Sequence, residues 1–579
     1  MLRLFIRSLA LGCLIGLIAT GPLRAEIKAH PLFADHAVLQ QGERTPIWGT
    51  GTDGEEVTVR LGSEYTAQTR VQNGRWRVDL QNLRAGGPYE LTIAGPENTL
   101  TFKDILVGEV WICSGQSNME WPVNASAEPE ETRANANYPK MRLFVVPRTA
   151  TPEPQTEVGG TWRLCSPETV GRFSAVGYAF GRNIHQARRV PVGLIQSAWG
   201  GTLAEAWTSP QGLEAADDPT IPALWQRYAS SMPRRIAQYE QGLTEYEEAL
   251  AKAKAAGEEP PANLRRPADP RKEQNQPSHL YHGMIAPLQP YAIRGVIWYQ
   301  GESNAGRAHQ YRTLFPVLIR DWRRAWGQGD FCFLAVQLAP WEGNMNRPLW
   351  PELREAQLLT MRSVPNYGMV VITDLGDKAD IHPRQKEPVG QRLALAARAL
   401  AYGEPIEWSG PIYERVELTD HRAILHFKHL GGGLVARDGP LQGFTICGPD
   451  RQFLPAQAEI VGDTVMVFHP DVKEPISVRY GWENFPVVNL WNRAGLPATP
   501  FRTDDFPLLT GPNEEKRRWG TAAVEGGPWQ NASSGQPPRM ARHAAHRKRR
   551  RARRFGVASS ARLRRNAGLA STLRTGLTW

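Results

Sequence analysis

The sequence has few cysteines, and their spacing lacks the short pairs that bind structural metal ions. Five cysteines occur in 579 residues, and Cys13 lies in the N-terminal apolar run. The other four are far apart along the chain, which excludes the usual Cys-rich zinc sites. We therefore expect no metal and no cofactor. Cys113 and Cys165 could pair as a disulfide in an exported protein, and the sequence leaves this open.

Most of the chain also lacks an excess of positive charge, although the whole sequence carries a formal +10. Residues 511–579 contain 16 Lys and Arg against 3 Asp and Glu, a net +13. The first 510 residues hold 52 basic residues (68 less 16) and 55 acidic residues (58 less 3), a net −3. The Arg-rich tail has the composition of a disordered segment, with nucleic acid or an anionic surface as the alternative partner. We expect no nucleic-acid partner, because the export predicted from the N-terminus and the net −3 of the first 510 residues disfavour one.

Long apolar runs are absent beyond the N-terminus. Residues 1–25 combine Arg3 and Arg7 with an apolar run, from residue 8 to residue 20, and end in small residues, the pattern of a secretory signal peptide. The run is shorter than the roughly 18 residues that a membrane anchor needs. We predict cleavage after Ala25, a periplasmic or extracellular location, and no membrane association after cleavage.

Two β-rich regions flank a region of mixed helices and strands. Residues 26–104 and 403–508 contain runs that alternate apolar and polar residues, such as "EEVTVRL" and "PISVRY", between turn-forming residues. Residues 105–402 hold continuous Val- and Ile-rich runs separated by helical patterns, which predicts a parallel sheet with helices on both faces. We therefore expect an α/β domain flanked by N-terminal and C-terminal β-sandwich-like domains, followed by a tail at 509–579.

A helical insertion at about 211–284 interrupts the alternation of strands and helices. Five apolar residues recur there at spacings of three and four, which predicts one face of a helix: Ile236, Tyr239, Leu243, Tyr246 and Leu250. We favour a helical insertion on the surface, and the alternative is a lid that shapes a substrate cleft.

Polar segments follow four of the predicted buried strands. They contain a serine in "SGQSN", two glycines in "WGGT", an asparagine in "QGESN", and an aspartate and a histidine in "DIHP": Ser117, Gly200, Gly201, Asn304, Asp380 and His382. Parallel sheets bind ligands at the carboxyl ends of their strands, so the four segments are expected to share one edge.

These residue types are the ones that acyl transfer requires. A serine hydroxyl becomes a nucleophile when a base removes its proton, an imidazole is a suitable base, and a carboxylate can hold the imidazole in the correct tautomer. Backbone N–H groups at glycine turns and a side-chain amide can stabilise the oxyanion. Each motif alone is weak, and Asp374 or Asp377 could orient a histidine as well as Asp380. The four segments together favour a site for acyl transfer.

Four stretches together resemble the sialate O-acetylesterase family of SGNH/GDSL-like carbohydrate esterases: "VWICSGQSNMEWPV", "GLIQSAWGGTLAEAW", "GVIWYQGESNA" and "TDLGDKADIHPRQKEPVGQRLA". The resemblance covers roughly residues 30–508 and not the Arg-rich tail. It implies an SGNH flavodoxin-like parallel sheet in residues 105–402. It also implies hydrolysis of acetyl esters of sialic acid or related sugars to free sugar and acetate, without a metal.

The resemblance also implies roles for individual residues. Ser117 would be the nucleophile, His382 the general base and then acid, and Asp380 the residue that orients His382. The oxyanion hole would consist of the Ser117 N–H, the Gly201 N–H in preference to that of Gly200, and the side chain of Asn304. Gln300 or Glu302 could replace Asn304. Simpler members of the superfamily place the aspartate three residues before the histidine, where this chain has Ala379.

Other functions stay open on the sequence. The same mechanism could act on acetyl-xylan, pectin or a small ester, and a non-catalytic carbohydrate-binding protein is a further alternative. A sialate substrate needs a cation for its carboxylate, and Arg384 is a candidate whose structural role is the simpler interpretation. The sequence does not give the oligomeric state.

Deletion of residues 511–579 is predicted to leave esterase activity unchanged, because the folded part of the chain contains all four motif segments. The measurement is acetate release from a chromogenic acetate by the truncated and full-length proteins, with Ser117→Ala as the blank. A large loss of activity in the truncated protein would show that the tail contributes to the site.

Overall fold

The computed structural model describes residues 26–343 and 347–512. The predicted signal peptide lies outside the described residues, as does all of the Arg-rich tail beyond residue 512. Within the described ranges, no helix has both the length and the apolar character that a membrane span requires.

The N-terminal region is built mainly from antiparallel strands, and the strand Val38–Gln40 pairs parallel with the strand that follows the region, Thr99–Gly115. Its strands are β1 Lys28–Ala29, β2 Val38–Gln40, β3 Gly42–Thr50, β4 Glu56–Leu61, β5 Tyr65–Arg70, β6 Arg75–Leu83 and β7 Gly86–Ala94. One three-stranded sheet has the order β1-β3-β6, while β4 pairs with β5 and β7. In β4, Val57, Val59 and Leu61 are buried and their neighbours are more exposed, as the period-two pattern predicts.

A long strand, β8 at Thr99–Gly115, joins the N-terminal region to the central sheet. Its first part pairs antiparallel with β7, and its last part lies in the middle of the parallel sheet. The division that the sequence predicted between residues 104 and 105 therefore falls inside one continuous strand. Because β8 belongs to both regions, the N-terminal strands are hydrogen-bonded directly to the central sheet.

The central sheet is mostly parallel. It adds β9 Tyr138–Val145, β10 Trp162–Cys165, β11 Val192–Ala198, β12 Gly295–Tyr299, β13 Cys332–Val336 and β14 Tyr367–Val370, in the order β10-β9-β11-β8-β12-β13-β14. The strand β10 is antiparallel to β9, and the other neighbours in this order are parallel. The large parallel sheet predicted from the apolar runs is confirmed.

Helices cover both faces of this sheet. The helices are α1 Ser117–Glu120, α2 Pro129–Ala134, α3 Ala175–Arg188, α4 Pro210–Glu214, α5 Thr220–Ala256, α6 Ala308–Trp326, α7 Trp350–Ser363 and α8 Glu387–Leu400. In β12, Val296 and Trp298 pack with α6 and α7, while Ile297 and Tyr299 pack with α3 and α8. A strand buried on both faces has no polar positions, which explains the continuous apolar runs in the sequence.

The helical insertion is dominated by the 37-residue helix α5. The five residues of its predicted apolar face are half-buried, and most of their neighbours are exposed. The chain then returns along α5, where Pro267 lies against Gly242 and Arg271 contacts the ring of Tyr239.

The C-terminal region forms small antiparallel sheets around its own apolar core. Its strands are β15 Ile412–Thr419, β16 Arg422–Lys428, β17 Leu434–Ala436, β18 Phe444–Cys447, β19 Leu454–Pro455, β20 Gln457–Val461, β21 Thr464–Phe468, β22 Ser477–Tyr480, β23 Leu490–Asn492 and β24 Phe501–Arg502. Beyond them, the backbone N–H groups of Leu509 and Thr510 donate to the buried carboxylate of Glu352. These two residues, which the sequence assigned to the tail, are thus anchored to α7.

All four cysteines of the described chain are buried free thiols: Cys113, Cys165, Cys332 and Cys447. The pairing of Cys113 with Cys165 that the sequence left open does not occur. Cys113 lies near the end of β8 and Cys165 ends β10, and two strands, β9 and β11, lie between them in the sheet order.

Arg354 of α7 is fully buried and links α7 to the C-terminal region. Its guanidinium donates to the carbonyls of Leu338 and Ala339 and to those of Glu483 and Asn484. Burial lowers the pKa of Arg354 to about 9.

Replacement of Arg354 by Met is predicted to lower the free energy of unfolding by about 3 kcal/mol or more, because buried carbonyls then lose their donor. The measurement is the midpoint of urea unfolding. Arg227→Met, at an exposed position of α5, is the matched control and is expected to shift stability by no more than about 0.5 kcal/mol. Equal midpoints for the two variants would contradict the prediction.

Candidate active site

The turn after β8 places Ser117 at the carboxyl edge of the parallel sheet. Gly115 has a φ of +133°, and a Cβ at this position would lie 2.2 Å from the carbonyl oxygen of Tyr299. The Gln116 N–H donates to that same carbonyl at 2.9 Å. Because only glycine fits here, the chain can turn sharply out of the strand and begin α1 at Ser117.

His382 reaches Ser117 from the loop between β14 and α8. Its Nε2 lies 2.8 Å from the Ser117 Oγ. The ring stacks on Trp121, with 4.9 Å between the ring centroids and 15° between the planes. Burial lowers the pKa of His382 below its usual 6.5, and the nearby Asp380 opposes this shift. Neutral imidazole, the form that can accept a proton, is therefore favoured at neutral pH.

Of the three carboxylates that the sequence left open, Asp380 is the one that faces His382. Its Oδ1 lies 3.3 Å from Nδ1 and accepts the His382 backbone N–H at 2.8 Å. Asp374 instead forms a two-bond ion pair with Arg392, with both distances 2.7 Å. Asp377 accepts the backbone N–H groups of residues 379 and 380, which shapes the loop.

The two glycines of "WGGT" differ in what their N–H groups do. The Gly200 N–H donates to the Glu120 carboxylate at 2.9 Å, and a Cβ on Gly200 would lie 3.1 Å from the Cβ of Ser117. Gly201 has a left-handed φ of +70°, and no acceptor for its N–H occurs among the described residues. Gly201 is therefore the glycine of this turn whose N–H is available to a ligand.

The helical insertion contacts this turn. The Gln274 side chain donates to the Gly200 carbonyl at 3.1 Å, and the Asn275 side chain donates to the Gly201 carbonyl at 3.0 Å. Asn275 also accepts the backbone N–H of Leu203 at 3.0 Å. The segment after α5 is thus part of the site wall, which the interpretation as a surface insertion did not include.

The side chain of Asn304, which the sequence predicted for the oxyanion hole, is hydrogen-bonded within the protein. Asn304 is buried, its Nδ2 donates to Glu205, and its Oδ1 accepts from the Ala204 N–H and from Gln300. These bonds fix the segment after β11 against the segment after β12. Gln300 is equally occupied, because it also donates to the Thr202 carbonyl.

Four residues of the site were missed by the sequence reasoning. Glu120, Trp121 and Lys386 lie within a few residues of the motif serine or histidine, and Asn118 directly follows Ser117. Their position near the motifs is the only sequence signal that could have identified them.

The candidate cation Arg384 has a structural role, because it donates to the carbonyls of residues 125 and 126. Arg148 is an exposed cation near the glycine turn: it pairs with Glu120 and packs over Trp199.

The described residues contain no cluster of three or more His, Cys, Asp or Glu side chains that could hold a metal ion. The groups at this edge are instead a serine, an imidazole, a carboxylate and a free backbone N–H. This set can carry out nucleophilic attack, proton transfer and oxyanion stabilisation.

Comparisons with known proteins agree with this chemistry. A family model described as "Carbohydrate esterase, sialic acid-specific acetylesterase" matches residues 271–399, which include Asp380 and His382. The sialate O-acetylesterase of Rattus norvegicus is 32% identical, over 81% of this chain and 93% of the relative. That of Homo sapiens is 30% identical, over 79% of this chain and 88% of the relative.

A solved structure also matches most of the fold. The crystal structure of a carbohydrate acetylesterase from Xanthomonas citri has 36% sequence identity and a TM-score of 0.71. The match covers 83% of this chain and all of that one.

Replacement of Asp380 by Asn is predicted to lower kcat by about 10²–10⁴-fold, because the imidazole loses the carboxylate that orients it and stabilises its charged form. The measurement is hydrolysis of a chromogenic acetate. Asp374→Asn is the control, since Arg392 holds that carboxylate away from the ring. If Asp380→Asn keeps full activity and Asp374→Asn or Asp377→Asn loses it, the orienting role belongs to the other residue.

Proposed function

The chain belongs to the sialate O-acetylesterase family and is a carboxylic ester hydrolase, and on that premise we propose that it deacetylates O-acetylated sialic acids or related sugars by a serine mechanism. The observation that carries the proposal is the 2.8 Å distance between Ser117 Oγ and His382 Nε2. The pair lies at the carboxyl edge of a parallel sheet, with Asp380 on the other ring nitrogen.

The reaction begins when Ser117 Oγ attacks the acetyl carbonyl carbon and His382 Nε2 takes the hydroxyl proton. Asp380 stabilises the imidazolium that forms. His382 then gives the proton to the sugar oxygen as the ester bond breaks, and the acetyl group stays on Ser117. Water, deprotonated by the same imidazole, attacks the acetyl-enzyme; the bond to Ser117 Oγ breaks, acetate leaves, and His382 gives the proton back to Ser117 Oγ.

Two backbone N–H groups support an oxyanion hole in this proposal. Ser117 is the first residue of α1, so its N–H has no acceptor within the helix. The Gly201 N–H has no acceptor among the described residues. In this proposal Asn304 contributes through the turn, because its amide holds residues 204 and 205 and thereby the position of Gly201.

The fold detail and the location of the protein belong to the same proposal. The order of the four motif segments and their common edge support an SGNH flavodoxin-like arrangement of the central sheet. The N-terminal apolar run with Arg3 and Arg7 supports export to the periplasm or the extracellular space, where acetylated glycans occur.

A neutral acetylated glycan, such as acetyl-xylan, is the second candidate substrate. The specific observation is the Glu120 carboxylate, which lies against the glycine turn beside Ser117 and repels a sialate carboxylate unless Arg148 offsets it. Sialate substrates therefore depend on Arg148, whereas neutral sugars do not.

The proposal is tested by acetate release from O-acetylated sialic acid, acetyl-xylan and a chromogenic acetate. We expect the wild type to release acetate from at least one of the sugars. Ser117→Ala and His382→Ala are expected to lose about 10³-fold or more in kcat on every active substrate, because the two residues act as a unit. Circular dichroism of each variant verifies that it is folded. Acetate release by Ser117→Ala at the wild-type rate would refute the serine mechanism.

A further inference from the structure

Asn118, the residue after Ser117, is buried where three segments of the site meet. Its Nδ2 donates to Glu302 at 2.6 Å and to the Ile381 carbonyl at 3.0 Å, and its Oδ1 accepts from Lys386 Nζ at 2.5 Å. One amide therefore connects α1, the segment after β12, the backbone next to His382 and the start of α8. All hydrogens of this amide are used.

Lys386 is a buried ammonium with a restricted environment. The residue is 1% exposed, and its Nζ lies 5.8 Å from the ring centroid of Trp121 and 5.4 Å from that of Tyr299. Burial lowers the pKa of Lys386 to about 7, although the charges of Glu302 and Asp380 raise it. Below neutral pH the ammonium is therefore charged, and burying that charge costs free energy.

Glu302 supplies the acidic group next to Lys386 and Asn118, and only one of its two carboxyl oxygens has a hydrogen-bond partner among the described residues. Its Oε1 accepts from Asn118, but its Oε2 is buried and has no hydrogen-bond partner among the described residues. Burial raises the pKa of this carboxyl group. A buried carboxyl group with an unsatisfied oxygen is a poor way to stabilise a fold, which indicates that Glu302 serves the adjacent reaction.

The cluster and the catalytic histidine act on each other through Trp121 and through space. His382 stacks on the Trp121 ring that Lys386 also faces. The positive charge of Lys386 lowers the pKa of His382, and the negative charge of Asp380 raises it. From α1 and the residue after it, the groups that contact the imidazole are the neutral side chains of Ser117 and Trp121.

We propose that Asn118, Lys386 and Glu302 are positioning residues that hold the His382 loop against Ser117, and that the Lys386 ammonium keeps the His382 imidazole unprotonated before the reaction. The proposal rests on the serine mechanism above. The resting imidazole then stays a base down to a lower pH. When the Ser117 proton moves to Nε2, Asp380, whose Oδ1 lies 3.3 Å from Nδ1, stabilises the product of that transfer.

The charge of Lys386 is tested by the pH dependence of kcat/KM on a neutral acetyl ester, from about pH 4.5 to about pH 8.5, which reports the pKa of the free enzyme's base. Lys386→Met removes the positive charge, so the pKa of His382 rises. We expect the acidic limb of the profile to move to higher pH by about 1 unit. Lys386→Gln makes the same charge change with a polar side chain. Lys386→Arg keeps the positive charge, so its acidic limb is expected at the same pH as that of the wild type.

Lys378→Met is the matched control for this measurement. Lys378 is an exposed lysine of the same loop, paired with Glu342 at 2.9 Å, so solvent screens its charge and no shift is expected. A purely structural role of Lys386 would lower kcat without moving the limb. A limb that coincides with that of the wild type in both Lys386→Met and Lys386→Gln would overturn the electrostatic part of the proposal.

The positioning part is tested with Asn118→Ala, which removes the amide and keeps both charges. We expect kcat to fall by about 10²-fold with KM little changed and the acidic limb in place, since the His382 loop loses its anchor next to Ser117. Wild-type kcat in this variant would overturn the positioning role. Ser117→Ala, measured in parallel, distinguishes a failure of the serine mechanism from a failure of the positioning proposal. Wild-type activity in Ser117→Ala would refute the serine mechanism, whatever the Asn118 and Lys386 variants do.

Discussion

The parallel register of three central strands is the constraint on which the site depends. Gly115 at the end of β8 is paired with Ala198 on β11 and with Tyr299 on β12. The three polar segments that follow these strands therefore start at one level along the sheet. Because the turns that follow these strands are short, this alignment brings Ser117, the glycine turn and the "QGESN" segment together without a long loop.

Close backbone contacts make this alignment intolerant of larger side chains. A Cβ on Gly115 would collide with the Tyr299 carbonyl, and one on Gly200 would press on Ser117. Side-chain amides around them hold the segments in place. Asn304 joins the segments after β11 and β12, and Asn275 of the insertion donates to the Gly201 carbonyl of the glycine turn. Neutral amides thus link the segments of the site to one another.

Much of the fold was predictable because its elements carry periodic signals. Continuous apolar runs indicated doubly buried strands, spacings of three and four indicated α5, and alternation indicated the outer β regions. Boundaries were less accurate: β8 crosses the predicted limit at residue 104 because one long strand can pair antiparallel at one end and parallel at the other. Local patterns do not encode such a change of partners.

The sequence by itself determined which residue types stand at the ends of the buried strands, and thereby the chemistry that Ser117, His382 and Asp380 offer. Only the tertiary structure decided which of three aspartates faces the imidazole, which glycine keeps a free N–H, and that the amides of Asn118 and Asn304 are used internally. The physical reason is that hydrogen-bond partners and burial depend on segments up to hundreds of residues apart, and a side chain's role is fixed by what surrounds it after folding.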